Sequence, residues 1–142
     1  MATALATLIK LCKSRVEDKQ KEIAVFRDKI IALETKIAEL HAAIVREEEA
    51  AKGSPDLSTY FGTYQQRAHD QIEQSKELIR QTEEALQPHL DELAELFAEQ
   101  KRVEILHARK LEEARKQRLK KEQQQLDEIA TVRHARKSGQ KG

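Results

Sequence analysis

The sequence predicts an all-α protein: two long helices in an antiparallel coiled-coil hairpin, the second longer and projecting past the N-terminus. Three observations predict it. The first is a seam. Every seventh residue from Ile9 is a β-branched aliphatic: Ile9, Val16, Ile23, Ile30, Ile37 and Ile44. Three residues after each comes Cys12, Lys19, Phe26, Leu33, Leu40 and Glu47, of which four are apolar or near-apolar. This is a heptad repeat with Ile or Val at a and mostly Leu-like residues at d. It is narrower than the apolar stripe of a globular helix, so it calls for one long helical partner. The second observation is composition. In 142 residues, aromatics are 4%, Trp is absent, 36% are charged, and there are only four Gly and two Pro. That leaves little material for a sheet or a layered core and matches long helices and coiled coils. The third is a single strong turn signal, Gly53-Ser54-Pro55-Asp56, between two periodic segments.

The elements follow in order within one coiled-coil domain, 1–142. Helix 1 is expected at about 3–51, starting near Thr3 or Thr7, with Thr7 as a cap candidate. Cys12 falls on a d position, which reads as a packed seam thiol; one cysteine also excludes an intrachain disulfide framework. Lys19 is the one polar d position before the tip. It reads either as a snorkelling lysine whose stem covers the seam or as a polar defect that fixes register. The turn is expected at 52–57. Gly53 suits the C′ position, and Ser54 with Pro55 suits the N-cap and N1 of the next helix. So short a connection doubles the chain back on itself.

Residues 57–64 hold both tyrosines and one of the three phenylalanines. They read either as a plug for the end of the hairpin or as a partner-binding tip. Helix 2 is expected at about 58–135. Its apolar spacing is looser: Ala68, Ile72, Ile79, Leu86, Leu90, Leu93, Leu96, Phe97, Val103 and Leu106, interrupted by Ser75, Thr82 and Gln100. Pro88 removes a backbone donor and crowds the Glu84 carbonyl, so a bend or loosened turn is expected there. A hairpin turning near residue 54 sets Pro88 level with Gln20, beside Lys19, and the pairing is expected to be weakest at that height. Helix 1 runs out of partner opposite residue 105 or so, leaving 107–136 as a single-helix overhang. Between Arg109 and Lys121, seven of thirteen residues are Lys or Arg. Its apolar residues, Leu111, Leu119, Leu126, Ile129 and Val132, form a thin seam, and such a helix is marginal alone in water. The tail 138–142 is expected to be disordered.

The net charge of +1 hides a basic–acidic–basic pattern: +3 over 1–46, −9 over 47–100 and +7 over 101–142. The opening run from Ala2 to Ile9 is broken by Lys10 and is too short for a signal peptide or a membrane span. No Gly-rich phosphate loop, HExxH or CxxC occurs. The five histidines are scattered; only His41 and His69 would approach one another, near the tip. No catalytic, cofactor-binding or metal-ligating residue is assigned, and a two-helix rod leaves no room for a concave pocket. A nucleic-acid reading of the basic C-terminal helix lacks the aromatic residues that stack bases, and Glu112, Glu113, Glu122, Asp127 and Glu128 dilute the stripe.

Against this background the C-terminal stretch Glu122-Gln-Gln-Gln-Leu-Asp-Glu-Ile-Ala, running into Arg133-His-Ala-Arg136, resembles the closing signature of FliJ, a small coiled-coil component of the bacterial flagellar type III export apparatus. Gln100-Lys-Arg-Val-Glu-Ile-Leu and Lys110-Leu-Glu-Glu-Ala-Arg are similar to the same family's pattern of charge around a sparse Leu seam. The resemblance implies a non-enzymatic, stalk-like rod without cofactors, cytoplasmic and peripheral at the inner membrane through its partners. It implies binding to the ring of the export ATPase, FliI, promotion of ring assembly, coupling to the export gate protein, FlhA, and recycling of export chaperones. The residues that the resemblance marks for the ATPase ring are Lys10, Lys13, Arg15, Arg115, Lys116, Arg118, Lys120, Lys121, Leu126, Asp127, Glu128, Arg133 and Arg136. At the tip they are Tyr60, Phe61, Tyr64 and Gln65. Tyr64-Gln65-Gln66 is similar to a Tyr-Gln-Gln that precedes a gate-binding surface in some members, although Arg67 follows it here. Two alternatives remain open at this level: the equivalent stalk of a virulence-type secretion system, and a homodimeric coiled coil, since Ile at a with Leu at d favours parallel pairing.

Overall fold

The computed structural model describes the backbone of residues 2–140 and the side chains of 4–139. It contains two helices, α1 (Ala2–Ala51) and α2 (Pro55–Gln140), packed as an antiparallel hairpin. The connection is shorter than the expected 52–57. Ser54 caps α2: its Oγ accepts the Leu57 amide at 3.4 Å, and its carbonyl already accepts the Ser58 amide at 2.9 Å. Pro55 and Asp56 therefore lie inside the first turn, where a missing N–H costs nothing and a carboxylate favours the helix dipole. Gly53 carries φ of 86°, a left-handed conformation that glycine adopts without steric cost. It lets the Ser54 amide turn back onto the Ala51 carbonyl at 3.4 Å.

Both outer boundaries also differ from expectation. α1 is already helical at Ala2 rather than starting near Thr3 or Thr7. α2 continues five residues past 135, so 138–140 are helical, and the remainder of the expected tail lies outside the described residues. No proline interrupts 132–140, and Lys137 in the last turn suits the negative end of the dipole. Pro88 lies inside α2 without ending it.

The described residues form two units of contact, Ser14–Phe97 and a terminal unit of α1 up to residue 13 with α2 from 98 onward. In Ser14–Phe97 the α1 seam is the buried stripe. Val16, Ile23 and Ile44 are buried, and Lys19, Phe26, Ile30, Leu33, Ile37 and Leu40 are half-buried. Glu47, the last d position, is exposed. The facing stripe of α2 steps by three and four through Phe61, Tyr64, Ala68, Ile72, Ser75, Ile79, Thr82, Leu86, His89, Leu93 and Leu96, all buried or half-buried. Ser75 and Thr82, read from the sequence as interruptions, are thus seam residues, with 1% and 5% exposure. Thr82 satisfies its hydroxyl internally by donating to the Leu78 carbonyl at 2.6 Å, the usual solution for a buried threonine on a helix. Phe97, read as an apolar seam position, is exposed. The densest core is Ile44 with Ala68 and Ile72, packed by Ile37, Leu40, Phe61 and Tyr64.

Lys19 packs its stem into the seam and engages polar partners on both helices. Its side chain is only 14% exposed, while its ammonium reaches Glu22 on α1 at 2.8 Å and Glu92 on α2 at 2.5 Å. His89 Nδ1 lies 3.3 Å from the same ammonium and 3.4 Å from Glu22. The His89 ring also stacks on Phe26, with 4.9 Å between centroids. Lys19 and the Pro88–His89 step do fall at one height, and a polar cross-helix cluster occupies it.

This cluster has a defined pH window. The Lys19 hydrogen bonds hold the carboxyls of Glu22 and Glu92 below their ordinary value of 4.5. Hydrogen bonds to Glu22 and then Glu92 hold Lys19 above 10.5. A depressed carboxyl contributes stability that is present above its unfolded value and lost as pH falls through the folded one; a raised lysine contributes below its unfolded value and loses it as pH rises through the folded one. The cluster therefore contributes fully across neutral pH. Urea midpoints should fall on acidification below 4.5, and Glu92→Gln should flatten that acid limb. An unchanged acid limb in the variant would show that Glu92 carries no part of it.

In the terminal unit, Cys12 is buried at 2% and Ile9 half-buried, as the seam predicts. On α2, Gln100, Val103 and His107 continue the three–four stripe, while Leu106 is exposed. From Ala108 to Gly139 every residue is exposed. The second helix is longer, as expected, and among the described residues its side chains from Ala108 onward all stay exposed.

Candidate docking surfaces

A coiled-coil seam buries two narrow stripes and leaves the remaining faces to solvent. What the chain offers a partner is therefore the tip and the unpaired part of α2. At the tip, the aromatic segment divides by its position on the helix. Phe61 and Tyr64 turn inward against the Ile44–Ala68–Ile72 cluster, so they plug the hairpin end. Gln65 is half-buried beside them in sequence. Tyr60 is 65% exposed and Leu57 50% exposed. With Phe61 they line a shallow cleft against Glu47, Ala50 and Ala51. Of the four tip candidates, Tyr60 is the one free to anchor a partner. Leu57 joins it, and its one-turn spacing from Tyr60 was the sequence signal for it. Glu47, Glu48, Glu49 and Asp56 surround the tip with negative charge.

In the terminal unit, Lys10 and Lys13 are exposed on α1. Arg15 is also exposed but belongs to the Ser14–Phe97 unit. On α2, Arg115, Lys116, Arg118, Lys120, Lys121, Leu126, Asp127, Glu128, Arg133 and Arg136 are all exposed. They do not share a face. Steps of three and four join Leu111, Arg115, Leu119, Glu122, Leu126, Ile129, Arg133 and Arg136 into one stripe. Lys116, Lys120 and Asp127 lie round the helix from it, and Lys121 with Glu128 lies on a third line. The sequence reading named these residues as a group; the helix sorts them into an apolar–arginine face and flanking charges.

The electrostatics of that face are partly satisfied. Arg115 forks onto Glu112, with Nη2 at 2.7 Å and Nε at 3.0 Å. That hydrogen bonding holds the Glu112 carboxyl low and the guanidinium high. Exposed pairs of this kind add little stability. Asp127 is engaged locally: its side chain accepts from Gln123 at 3.1 Å, and its carbonyl accepts the Thr131 hydroxyl at 2.8 Å. Lys116, Arg118, Lys120, Lys121, Arg133 and Arg136 form no ion pair among the described residues. Upstream, Ile105, Ala108, Arg109, Glu112, Glu113 and Lys116 line a shallow open surface on the same helix.

Among the described residues, no group of three or more His, Cys, Asp or Glu is placed to hold a metal ion. His41 and His69 are exposed. Among the same residues, no helix is long and apolar enough to cross a membrane.

A two-helix hairpin with a plugged tip and a long exposed stretch of α2 defines a coiled-coil protein. The flagellar FliJ protein family matches residues 1–139. The chain belongs to that family, and so to the components of the flagellar export apparatus. No curated protein and no solved structure matches it.

Proposed function

We propose that this chain is a non-catalytic stalk of the flagellar export apparatus. The uncovered part of α2 docks in the ring of the export ATPase, FliI, and promotes its assembly, while the tip engages the export gate protein, FlhA. The observation that carries this reading is the uninterrupted exposure of 108–139 on a continuous helix. A helix with Leu and Arg on one stripe that stays exposed among the described residues is suited to bury that stripe against a partner. The basic excess of 101–142 and the acidic excess of 47–100 orient the chain toward differently charged partners and speed encounter. Tyr60 and Leu57 supply an apolar anchor at the acidic end. The site is cytoplasmic, at the inner face of the membrane, with membrane proximity provided by partners. Recycling of export chaperones fits the same exposed surfaces. The family match favours the flagellar over the virulence-type system.

The test is a titration into purified export ATPase, following ring assembly by sedimentation together with ATP turnover. The full chain should promote both. A chain ending at Leu106 keeps the hairpin and loses the uncovered helix, and it should promote neither. Equal promotion by the two chains would place the working surface in the hairpin instead and end this reading.

A further inference from the structure

We infer that the Lys19–Glu22–His89–Glu92 cluster makes α1 pair with α2 of its own chain and rejects α1 of a second copy. The two seams are unequal. α1 has β-branched aliphatics at all six a positions and Leu, Phe or Cys at four d positions, the pattern that stabilises parallel two-stranded coils. The α2 seam is poorer, with Ser75, Thr82, His89 and Gln100 among its inward positions. Apolar burial alone therefore favours two copies joined through α1 over one hairpin. The short turn opposes this by raising the local concentration of α2 and setting it antiparallel, but it gives the α1 seam no preference for its own α2 over a second copy once the hairpin opens.

Lys19 supplies that preference. It is the one charged residue at the a and d positions of α1 before the tip, and it is 14% exposed. In the hairpin its ammonium meets Glu92 across the helix pair and Glu22 on its own helix, with His89 Nδ1 at 3.3 Å. In a parallel pair of α1 helices, d positions face their own copies, so Lys19 would meet Lys19. Glu22 would remain nearby, but Glu92 and His89 would be absent, and two ammonium groups would share one layer. A like-charged core layer is a repulsive element aimed at a specific wrong partner, and specificity between coils is commonly set in this way. The consequence is that the chain presents one uncovered α2 per molecule rather than two held side by side.

Cys12 is a built-in reporter, because it occupies the d position one heptad before Lys19. In the hairpin it is buried; in a parallel α1 pair it would face Cys12 of the other copy. The experiment measures two rates on the full-length chain: Cys12–Cys12 disulfide formation under an added oxidant, and alkylation of Cys12 by a small thiol reagent. The second rate reports opening alone, so their ratio isolates pairing between copies. Lys19→Leu removes the repulsion and should raise the ratio about tenfold over wild type, because a polar core residue sets the oligomer state at a cost in stability. Lys19→Glu sets a carboxylate against Glu22 and Glu92. It should raise alkylation by opening the hairpin, yet leave the ratio at the wild-type level, since the introduced carboxylate would also face its own copy. An unchanged ratio in Lys19→Leu overturns the inference. So does an equal rise in both variants, or a Lys19→Leu dimer that forms without the Cys12 crosslink.

Discussion

Ile72→Ala should lower the stability of the hairpin by about 2–3 kcal/mol, read from the urea midpoint at constant slope. Ile72 is 2% exposed. It sits with Ile44 and Ala68 at the centre of the cluster that Ile37, Leu40, Phe61 and Tyr64 close. Removing three carbons there loses their transfer free energy and leaves a void between two helices that the turn holds together. A larger globular core would place the cost nearer the top of the usual range, about 5 kcal/mol. A two-helix seam has solvent on both flanks and can settle, so the lower half applies. Val25, 70% exposed on α1, is the control: Val25→Ala should change stability by no more than about 0.5 kcal/mol. The loss in Ile72→Ala should also be local. Amide exchange should accelerate first around Phe61 and Tyr64, which rest on the cluster. If the two variants were equally mild, this cluster would not be the core of the Ser14–Phe97 unit.

The contrast between Ile72 and Phe97 shows what could be read from the sequence. On α1, hydrophobicity and heptad position coincide. Every a position and all but the last d position proved buried or half-buried, and the boundary at Ala51 followed from Gly53. On α2 the two signals separate. Ser75 and Thr82 are buried because they fall on the three–four stripe, and Phe97 and Leu106 are exposed because they fall off it. Hydrophobicity alone ranks these four residues in the wrong order. Two long helices are packed by register, and register is a property of the pair rather than of either helix. Lys19 is the same case. The sequence marked it as a polar defect, but its partners, Glu92 and His89, stand about seventy positions away. The turn position sets Lys19 level with Pro88 and His89, but which polar side chains at that height meet it depends on how the two helices are rotated against each other. The N-cap and N1 of α2 were legible in Ser54 and Pro55, as the structure bears out; only the expected turn end at 57 falls too late, because Asp56 and Leu57 look like loop composition although a first helical turn welcomes Asp56. Among the candidate docking residues, type and location were legible, but their division into faces emerges only when α2 is taken as one uninterrupted helix.

That division yields the second large effect. On the proposed stalk function, Leu119→Asp with Leu126→Asp should weaken stimulation of the export ATPase by at least about a hundredfold in half-maximal concentration, because each change forfeits roughly 1 kcal/mol of burial and adds a carboxylate to desolvate. Both leucines are already half-exposed, at 50% and 60%, and neither touches the α1 seam, so the hairpin itself should keep its urea midpoint. Lys116→Glu with Lys120→Glu reverses two charges on the neighbouring face. If the ring reads the Leu–Arg stripe, those reversals act at long range. They should slow association and weaken its salt dependence, for a change of only a few-fold in half-maximal concentration. Arg115→Ala falls between the two, since Arg115 lies on the stripe but is already forked onto Glu112. Docking must then break or accommodate that pair, and the variant should lose no more than about tenfold. The order of the three effects carries the information. Leucine loss above arginine loss above lysine reversal means a helix buried by its apolar face and steered by its charges. Lysine reversal at the top would mean that the uncovered part of α2 is held electrostatically along its flank, and that the Leu–Arg stripe faces something other than the ring.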